Sequence, residues 1–277
     1  GVLGDPTHNL PLIGAGSVRY PFIAAGTLTV LNWLYGLLVV PESLAQERRA
    51  PLRIERANPI GAFRGLKGYP LVRELGLALF FLSMAQYALH ATWVLYTGHR
   101  FGWGSRHVGL SLFAVGLTTF FVQGVLTKKI IHWLGERRTL MVGTVISVLA
   151  YVGYGTAWKG WMMFVVIAYG CFAGISQPAL QAMITKTVRP DEQGATQGAL
   201  SALASVAAIM GPVAGGLVFE VFTENQDALY LPGASFYMSA LLAGVGAMLA
   251  WHAVWPGRHL AHGQNSVAAQ DAAGGEA

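Results

Sequence analysis

The chain has 277 residues, of which 54% are hydrophobic and only 11% are charged, less than half of the roughly 25% that is usual in soluble domains. This composition excludes a disordered chain and argues against a soluble enzyme. The net charge of +5 is consistent with binding to nucleic acid or to acidic lipid. It is also consistent with the basic cytoplasmic loops of a membrane protein. A single cysteine, Cys171, excludes an internal disulfide, and its apolar surroundings predict a buried structural thiol.

Long runs without Lys, Arg, Asp or Glu dominate the chain. Runs near 20 residues can cross a bilayer as helices, and the lack of an alternating pattern argues against the strands of an outer-membrane barrel. The seven runs are 20–40, 75–96, 108–126, 140–157, 161–184, 198–219 and 233–254. The sequence therefore predicts an all-α integral membrane protein with seven transmembrane helices.

The basic residues indicate how these helices are oriented. Lys and Arg concentrate in the loops after the first, third, fifth and seventh runs, whereas the loops on the other side carry Arg19, Arg100, Arg106 and Lys159. Because cytoplasmic loops hold the excess of Lys and Arg, the first set of loops and the C-terminus are predicted to be cytoplasmic. Membrane topology thus explains the basic residues, and no nucleic-acid partner is expected.

Several short motifs occur in a fixed order along the chain. They are Pro41-Glu42-Ser43 ending the first run, Trp93-Val94, Arg100-Phe101 and Trp103 after the second, Leu134-Gly135-Glu136-Arg137-Arg138 after the third, Pro178-Ala179-Leu180-Gln181-Ala182-Met183 in the fifth, and Gln193-Gly194, Gln197-Gly198-Ala199-Leu200 and Gly211-Pro212 at the sixth. In order and spacing they resemble the major facilitator superfamily, and within it the tetracycline-resistance-like drug efflux group. The resemblance extends over about residues 1–256.

The resemblance implies a twelve-helix major facilitator fold of which this chain holds the C-terminal portion, helices six to twelve. The missing N-terminal half of the same protein is then an expected partner. The implied organisation is the end of helix five and an external loop in 1–19, helix six in 20–41, a cytoplasmic linker between the halves in 42–71, a six-helix C-terminal domain in 72–256 and a disordered cytoplasmic tail in 257–277.

Two positions depart from the tetracycline exporters of this group. Thr119 and Ser147 stand where those exporters carry a His and an Asp inside the membrane. The departures count against tetracycline as the substrate and against these two side chains as coupling groups. The implied function is proton-coupled efflux of an amphipathic drug-like compound, with tetracycline as one possible example.

Polar side chains inside the runs are costly in lipid unless they meet a partner or a wet cavity. Many of them are spaced by four residues, which places them on one helix face, and the resembled fold directs these helices toward a central cavity. The predicted cavity residues are Gln86, His90, Thr119, Gln123, Gln177, Gln181 and Ser201. The alternative is that they form hydrogen bonds between helices only.

His90 is the only histidine in the middle of a run, and imidazole changes its charge near physiological pH. It is therefore the candidate for proton coupling, with a neutral structural histidine as the alternative. Trp93 and Tyr96 could stack on a substrate, but their position near the outer end of a run favours aromatic anchors at the membrane interface.

Two motifs are candidates for gating. Gly135, Glu136, Arg137 and Arg138 occupy the short turn after the third run, where a glycine permits a tight turn and a mixed-charge cluster can latch onto a neighbouring helix end; simple positive-inside retention is the alternative. Gly211-Pro212 lies inside the sixth run, where it predicts either a kink that closes the cavity or close helix packing.

Motifs of nucleotide binding, of metalloproteases and of serine hydrolases are absent from the sequence, so neither an enzyme nor a cofactor nor a metal site is expected. The preferred hypothesis is a multi-pass secondary transporter of the bacterial inner membrane that exchanges protons for a small molecule across the lipid bilayer. A carrier of an ordinary metabolite, working in either direction, and a seven-helix membrane protein that does not transport are the alternatives.

Overall fold

A computed structural model describes residues 9–10, 14–15, 19–39, 69–189, 192–224 and 230–255. Within these ranges the only strands are the two-residue β1 (Asn9–Leu10) and β2 (Gly14–Ala15), which pair antiparallel with Asn9 opposite Ala15. All other regular elements in the described residues are helical. The prediction of an all-α membrane protein is confirmed.

The helices follow the predicted runs in order. They are α1 (Tyr20–Leu38), α2 (Pro70–Phe101), α3 (Ser105–Phe121), α4 (Thr127–Thr156), α5 (Gly160–Gly170), α6 (Ser176–Thr187), α7 (Gln193–Glu224) and α8 (Ala234–Val254). A π-helical turn, Val122–Leu126, continues α3 into α4, and a 3-10 turn, Cys171–Ile175, continues α5 into α6. Five continuous stretches of the described chain are long and apolar enough to cross a membrane, and α1 is a shorter apolar helix.

One of these stretches, 105–156, is divided by Gly135. This residue has φ 75° and ψ 160°, a conformation that a side chain would strain. Two crossing helices, 105–134 and 136–156, result from the break. The tight turn predicted at Gly135 is present.

The observed helices extend further than the predicted runs at most ends. For example, α7 covers Gln193–Glu224 where the apolar run covers 198–219. A run that stops at the first charge underestimates a membrane helix, because its terminal turns lie in the headgroup region where polar side chains are solvated.

Helix α2 lies at the centre of the unit that α2 to α8 form. It packs on both α7 and α8, and α4 packs on α8 and on the α5–α6 stretch. We call the end of this unit where α2 begins and α6 ends the basic end, since it carries Arg73, Arg138 and Lys186. The end where α2 finishes and α8 begins is the opposite end.

The two ends have different cores. The basic-end core is aliphatic, and it joins fully buried Val72 and Leu75 of α2 to Leu140 of α4 and Leu180 of α6. The opposite-end core is rich in aromatic residues, and its buried members include Trp93, Tyr96, Tyr151, Tyr154 and Phe236.

Large apolar side chains cover much of the outer surface. On α1 every described residue from Phe22 to Val39 is exposed, and Trp33 is 63% exposed. Comparable exposure occurs at Phe113 of α3 and Leu241 of α8. A surface of this kind is suited to lipid rather than to water.

Some predictions fall on residues that the structure does not describe. Most of the predicted linker 42–71, the tail 257–277 and most of 1–19 lie outside the described residues. Cys171, predicted to be buried, is partly buried.

Candidate substrate and coupling site

The seven predicted cavity residues all lie on helices or helical turns, and none of them is fully buried. The structure brings them together in separate groups rather than in one enclosed pocket. Gln86 and His90 form one group on α2, Thr119 and Gln123 lie near the 3-10 turn, and Gln181 lies near the basic end. The other two, Gln177 of α6 and Ser201 of α7, are at exposed positions.

Gln86 and His90 contact each other on an exposed face of α2. The Nε2 atoms of the two side chains are 3.3 Å apart. Both residues lie more than about 15 Å from either end of α2 at 1.5 Å per residue. Exposing an amide and an imidazole to lipid hydrocarbon at this depth would cost free energy. This face of α2 is therefore suited to a water-filled cavity.

A glycine seam on α7 holds this part of α2 in place. A Cβ atom at Gly211 would lie 2.7 Å from the carbonyl oxygen of Met84, and one at Gly215 would lie 3.1 Å from the Cβ of Ala88. The four-residue spacing of the glycines allows the two backbones to approach closely. Because Met84 and Ala88 face α7, Gln86 and His90 are directed away from it.

Helix α7 remains helical through Pro212, which lies in its interior. The contacts of Gly211 and Gly215 are those of close helix packing, the alternative given above for the Gly211-Pro212 motif. A closing kink at this motif stays a prediction.

Two helical irregularities meet beside the polar residues of α3. In the π-helical turn, the Thr127 hydroxyl donates to the carbonyl of Val122, 2.9 Å away. This turn contacts the 3-10 turn, where a Cβ atom at Gly174 would lie 2.8 Å from Nε2 of Gln123. Gln123 therefore packs directly over a glycine backbone, and π-helical turns of this kind are frequent at functional sites.

Pro178 accounts for the 3-10 turn. Proline lacks an N–H, and its ring clashes with the carbonyl four residues earlier, here that of Gly174. The helix tightens over Cys171–Ile175 just before the proline. A local irregularity is thus present in the fifth predicted run, just before its only proline.

Thr119 and Ser147, which depart from the tetracycline exporters, have local partners. The sulfur of Cys171 lies 2.8 Å from the hydroxyl of Thr118 and 3.7 Å from that of Thr119. The Ser147 hydroxyl donates to the carbonyl of Thr144 in its own helix, 2.7 Å away. Neither Thr119 nor Ser147 adds an ionisable group to this region.

The gating cluster meets α6 at the basic end. Glu136 accepts a hydrogen bond from Lys186 at 2.5 Å, and Lys186 is 71% exposed. The Gly135 turn starts the second half of α4 at this point and places the carboxylate against the last turn of α6. The mixed-charge cluster therefore has a cation partner on a neighbouring helix end.

Further polar contacts join α6 and α7 at the same end. The Gln181 amide donates to Oε1 of Gln197 at 2.5 Å, and the Gln193 amide donates to the carbonyl of Thr185 at 3.2 Å. Gln181 lies about 9 Å from the end of α6. Gln181 therefore takes part in the basic-end contacts, and its place in a substrate cavity stays a prediction.

Tyr69 makes the contact between α2 and the start of α7. Its hydroxyl donates to Oε2 of Glu192 at 2.7 Å. The hydrogen bond to the Glu192 carboxylate is the main reason that the pKa of Tyr69 lies above its ordinary value of 10.0. The phenol is therefore protonated, and can donate, throughout the physiological pH range.

Sequence reasoning missed two of these partners. The sequence pattern assigned Lys186 only to the basic loops that determine membrane orientation, and it assigned no function to Tyr69. A residue's partner on another helix depends on helix packing, which the sequence pattern does not show. One sequence feature could have indicated the contact with Lys186. Lys186 follows the fifth run on the predicted cytoplasmic side, where the turn that contains Glu136 is also predicted to lie.

The prediction that Trp93 and Tyr96 anchor at the membrane interface is wrong, and so is the alternative that they stack on a substrate. Trp93 is 6% exposed and Tyr96 is 1% exposed. The Trp93 indole donates to the Ser111 hydroxyl at 3.1 Å, and the Tyr96 hydroxyl donates to the carbonyl of Tyr154 at 3.0 Å. Both are directed into the opposite-end core.

Within the residues that the structure describes, no group of three or more His, Cys, Asp or Glu side chains could hold a metal ion. The polar groups of the site are amides, hydroxyls, one thiol and one imidazole. They can form hydrogen bonds with a solute, and His90 can also take up and release a proton.

Comparisons with known proteins agree with this architecture. A sequence profile of the Major Facilitator Superfamily matches residues 133–273. The class C tetracycline resistance protein of Escherichia coli is 34% identical over 233 residues, which are 84% of this chain and 59% of that protein. The class G tetracycline resistance protein of Vibrio anguillarum is 30% identical, with 83% of this chain and 58% of that protein covered.

A solved structure shows the same fold. The human organic anion transporter MFSD10 aligns with a TM-score of 0.67 at 23% identity, covering 84% of this chain and 57% of that one. The chain therefore spans less than two thirds of the length of these relatives.

Proposed function

This chain belongs to the major facilitator superfamily, and on that premise we propose that it acts in the proton-coupled export of an amphipathic drug-like compound. The names of the tetracycline resistance proteins support the substrate class. The observation that carries the coupling proposal is the Gln86–His90 pair, an ionisable group and an amide on an exposed face at the middle of α2.

Protonation of His90 changes what this pair can present to a solute. With both Nε2 atoms in contact, the Gln86 amide donates and the neutral imidazole accepts. A proton on Nε2 of His90 would place two donors against each other, so the Gln86 amide must rotate and accept through Oε1. Each protonation state thus offers a substrate a different set of hydrogen-bonding groups.

Transport requires the site to be exposed to the two sides of the membrane in turn. The glycine seam joins α2 to α7 with backbone-close contacts, so these helices move as one body. Substrate and proton then compete for the face that carries Gln86 and His90, and proton entry on one side drives release of the substrate.

The direct test is uptake of tetracycline into inverted membrane vesicles that contain the product of the complete gene. We expect accumulation when the vesicle interior is acidified, and a His90→Gln variant should lose the dependence on the pH gradient. His132→Gln is the matched control, since His132 is exposed and distant from the pair in sequence. Unchanged pH dependence in His90→Gln would remove His90 from coupling.

The same vesicles separate drug export from the carriage of a metabolite. If energised vesicles exclude tetracycline and other amphipathic drug-like compounds but exchange a small polar metabolite, the metabolite carrier is favoured. Loss of pH dependence in His90→Gln would then still assign the proton site, because that measurement concerns coupling and not substrate identity.

The localisation that we propose is the bacterial inner membrane with the basic end in the cytoplasm. The asymmetry of Lys and Arg supports it. In a Cys171→Ser background, a membrane-impermeant maleimide added outside should label Lys159→Cys and spare Lys128→Cys, both of which are exposed positions. Labelling of Lys128→Cys alone would reverse the orientation.

A further inference from the structure

A groove of about 210 Å³ lies between α4 and α8, away from the Gln86–His90 pair. Its walls are formed by Met141, Thr144, Val145, Ala247, Met248 and Trp251. Met141 lies about 8 Å from the start of the second half of α4, and Trp251 lies near the end of α8. The groove is therefore close to the basic end and inside the membrane-spanning part of both helices.

The groove opens on a surface that lipid must cover. Val145 is 49% exposed, Met248 is 66% exposed and Trp251 is 48% exposed. Leu149 and Leu241 on the same two helices are exposed to a similar or greater extent. Acyl chains are the apolar molecules that a membrane supplies in contact with such a surface.

The rim of the groove at the basic end is positively charged. Arg137 and Arg138 precede Met141 by four and three residues, which puts them one helical turn from it on the same side of α4. In the part of the chain that the structure describes, neither arginine forms an ion pair with a carboxylate. Trp255 stacks on Trp251 at 5.8 Å and adds an aromatic group where headgroups lie.

We propose that this groove binds an anionic phospholipid from the leaflet on the basic end, with an acyl chain along Met141, Val145 and Met248 and the phosphate at Arg137 and Arg138. The apolar groove alone would accept any lipid. The two arginines at its rim complement an anionic headgroup and favour it over a zwitterionic one. An apolar helix of another protein would leave these charges without a counterion.

Quenching of tryptophan fluorescence by brominated lipid tests this site. The product of the complete gene is reconstituted into phosphatidylcholine vesicles that contain brominated phosphatidylglycerol or brominated phosphatidylcholine. The difference between the unmodified protein and Trp251→Phe isolates the signal of Trp251. We expect phosphatidylglycerol to quench this signal with an affinity about fivefold higher per arginine than phosphatidylcholine.

Substitutions in the protein test separately where the headgroup and the acyl chain of the lipid bind. Arg138→Gln should reduce the preference for phosphatidylglycerol about fivefold, and Arg138→Lys should retain it. Ala247→Phe, which fills the groove, should reduce quenching by both lipids. The matched controls are Arg106→Gln at the opposite end and Leu241→Phe on α8 outside the groove lining, and both should leave quenching unchanged.

Three outcomes would overturn the proposal. Equal quenching by the two lipids would exclude a site for an anionic headgroup. Full quenching in Ala247→Phe would place the lipid outside the groove. Absence of quenching by either lipid would mean that protein covers the groove, as a second copy of the chain would.

Discussion

Both ends of the helical unit have packed cores, aliphatic at the basic end and rich in aromatic residues at the opposite end, and they differ in the contacts around those cores. At the basic end, Glu136 pairs with Lys186 and Gln181 with Gln197, and these contacts lie at exposed positions. At the opposite end, Tyr96 and Phe236 are buried with ring centroids 4.6 Å apart. Water can replace an exposed polar contact at little cost in free energy, whereas opening a packed aromatic cluster loses favourable ring contacts. We therefore expect local opening at the basic end, around a fixed opposite end.

Truncation of an aromatic residue at the opposite end should have the largest effect. Tyr96→Ala removes a ring that packs on Phe101 and Phe236 and is expected to reduce the free energy of unfolding by about 3–5 kcal/mol. Tyr96→Phe keeps the ring and removes only the hydroxyl, which donates to the Tyr154 carbonyl at 3.0 Å and to the Ala157 carbonyl at 3.4 Å, at a cost of about 1 kcal/mol. Unfolding in mixed micelles measures both.

The control for Tyr96→Ala is Trp133→Ala, because Trp133 is 79% exposed. That change should alter the free energy of unfolding by no more than about 0.5 kcal/mol. Comparable losses in the two variants would show that the aromatic cluster is not a special source of stability.

The glycine seam between the two ends should give the next largest effect. Gly211→Ala places a methyl group 2.7 Å from the Met84 carbonyl oxygen, and the resulting overpacking is expected to destabilise the protein by about 1–3 kcal/mol. Gly216→Ala is the matched control, since no atom of another helix lies within 4 Å of a Cβ there. The account would be contradicted if Gly211→Ala were neutral in thermal unfolding while transport stayed normal.

The ion pair at the basic end should contribute less to stability. Because Lys186 is largely exposed, breaking the pair with Glu136→Gln is expected to cost at most about 1 kcal/mol of unfolding free energy. A latch would instead show itself in transport rate, and the exchanged pair Glu136→Lys with Lys186→Glu should restore the rate that each single variant loses. Failure of the exchange to restore transport would leave the pair without a gating role.

The smallest effect concerns the Tyr69–Glu192 hydrogen bond at the same end. The pKa of Tyr69 is raised in the folded protein, so its stabilising contribution is complete below the ordinary pKa of 10.0 and is lost as the pH rises through the raised value. Stability should therefore fall more steeply at alkaline pH in the unmodified protein than in Tyr69→Phe. Identical pH profiles would show that the bond contributes nothing.

The sequence was sufficient to predict the order of the helices and the turn at Gly135. The apolar runs follow from the demand that a helix in lipid satisfies its own backbone groups, and the glycine marks the position where the chain needs a positive φ. The helix ends were predicted too short, because the first charged residue of a membrane helix does not end the helix.

The orientation of side chains around each helix could not be predicted in the same way. In a soluble helix the apolar stripe marks the buried face, but here lipid-facing and core-facing sides are both apolar. Trp93 is buried and Trp161 is exposed, although both lie near the ends of apolar runs. The partners Glu136 and Lys186 lie 50 residues apart, and only the packing of α4 against α6 brings them together.

Hydrogen–deuterium exchange of the reconstituted protein tests the contrast between the ends most directly. Exchange at both ends is measured in one experiment, since it reports local opening at each backbone amide. We predict faster exchange in 133–138, 184–189 and 192–197, at the basic end, than in 150–157 and 234–240, at the opposite end. Equal protection at the two ends, or slower exchange at the basic end, would contradict the account.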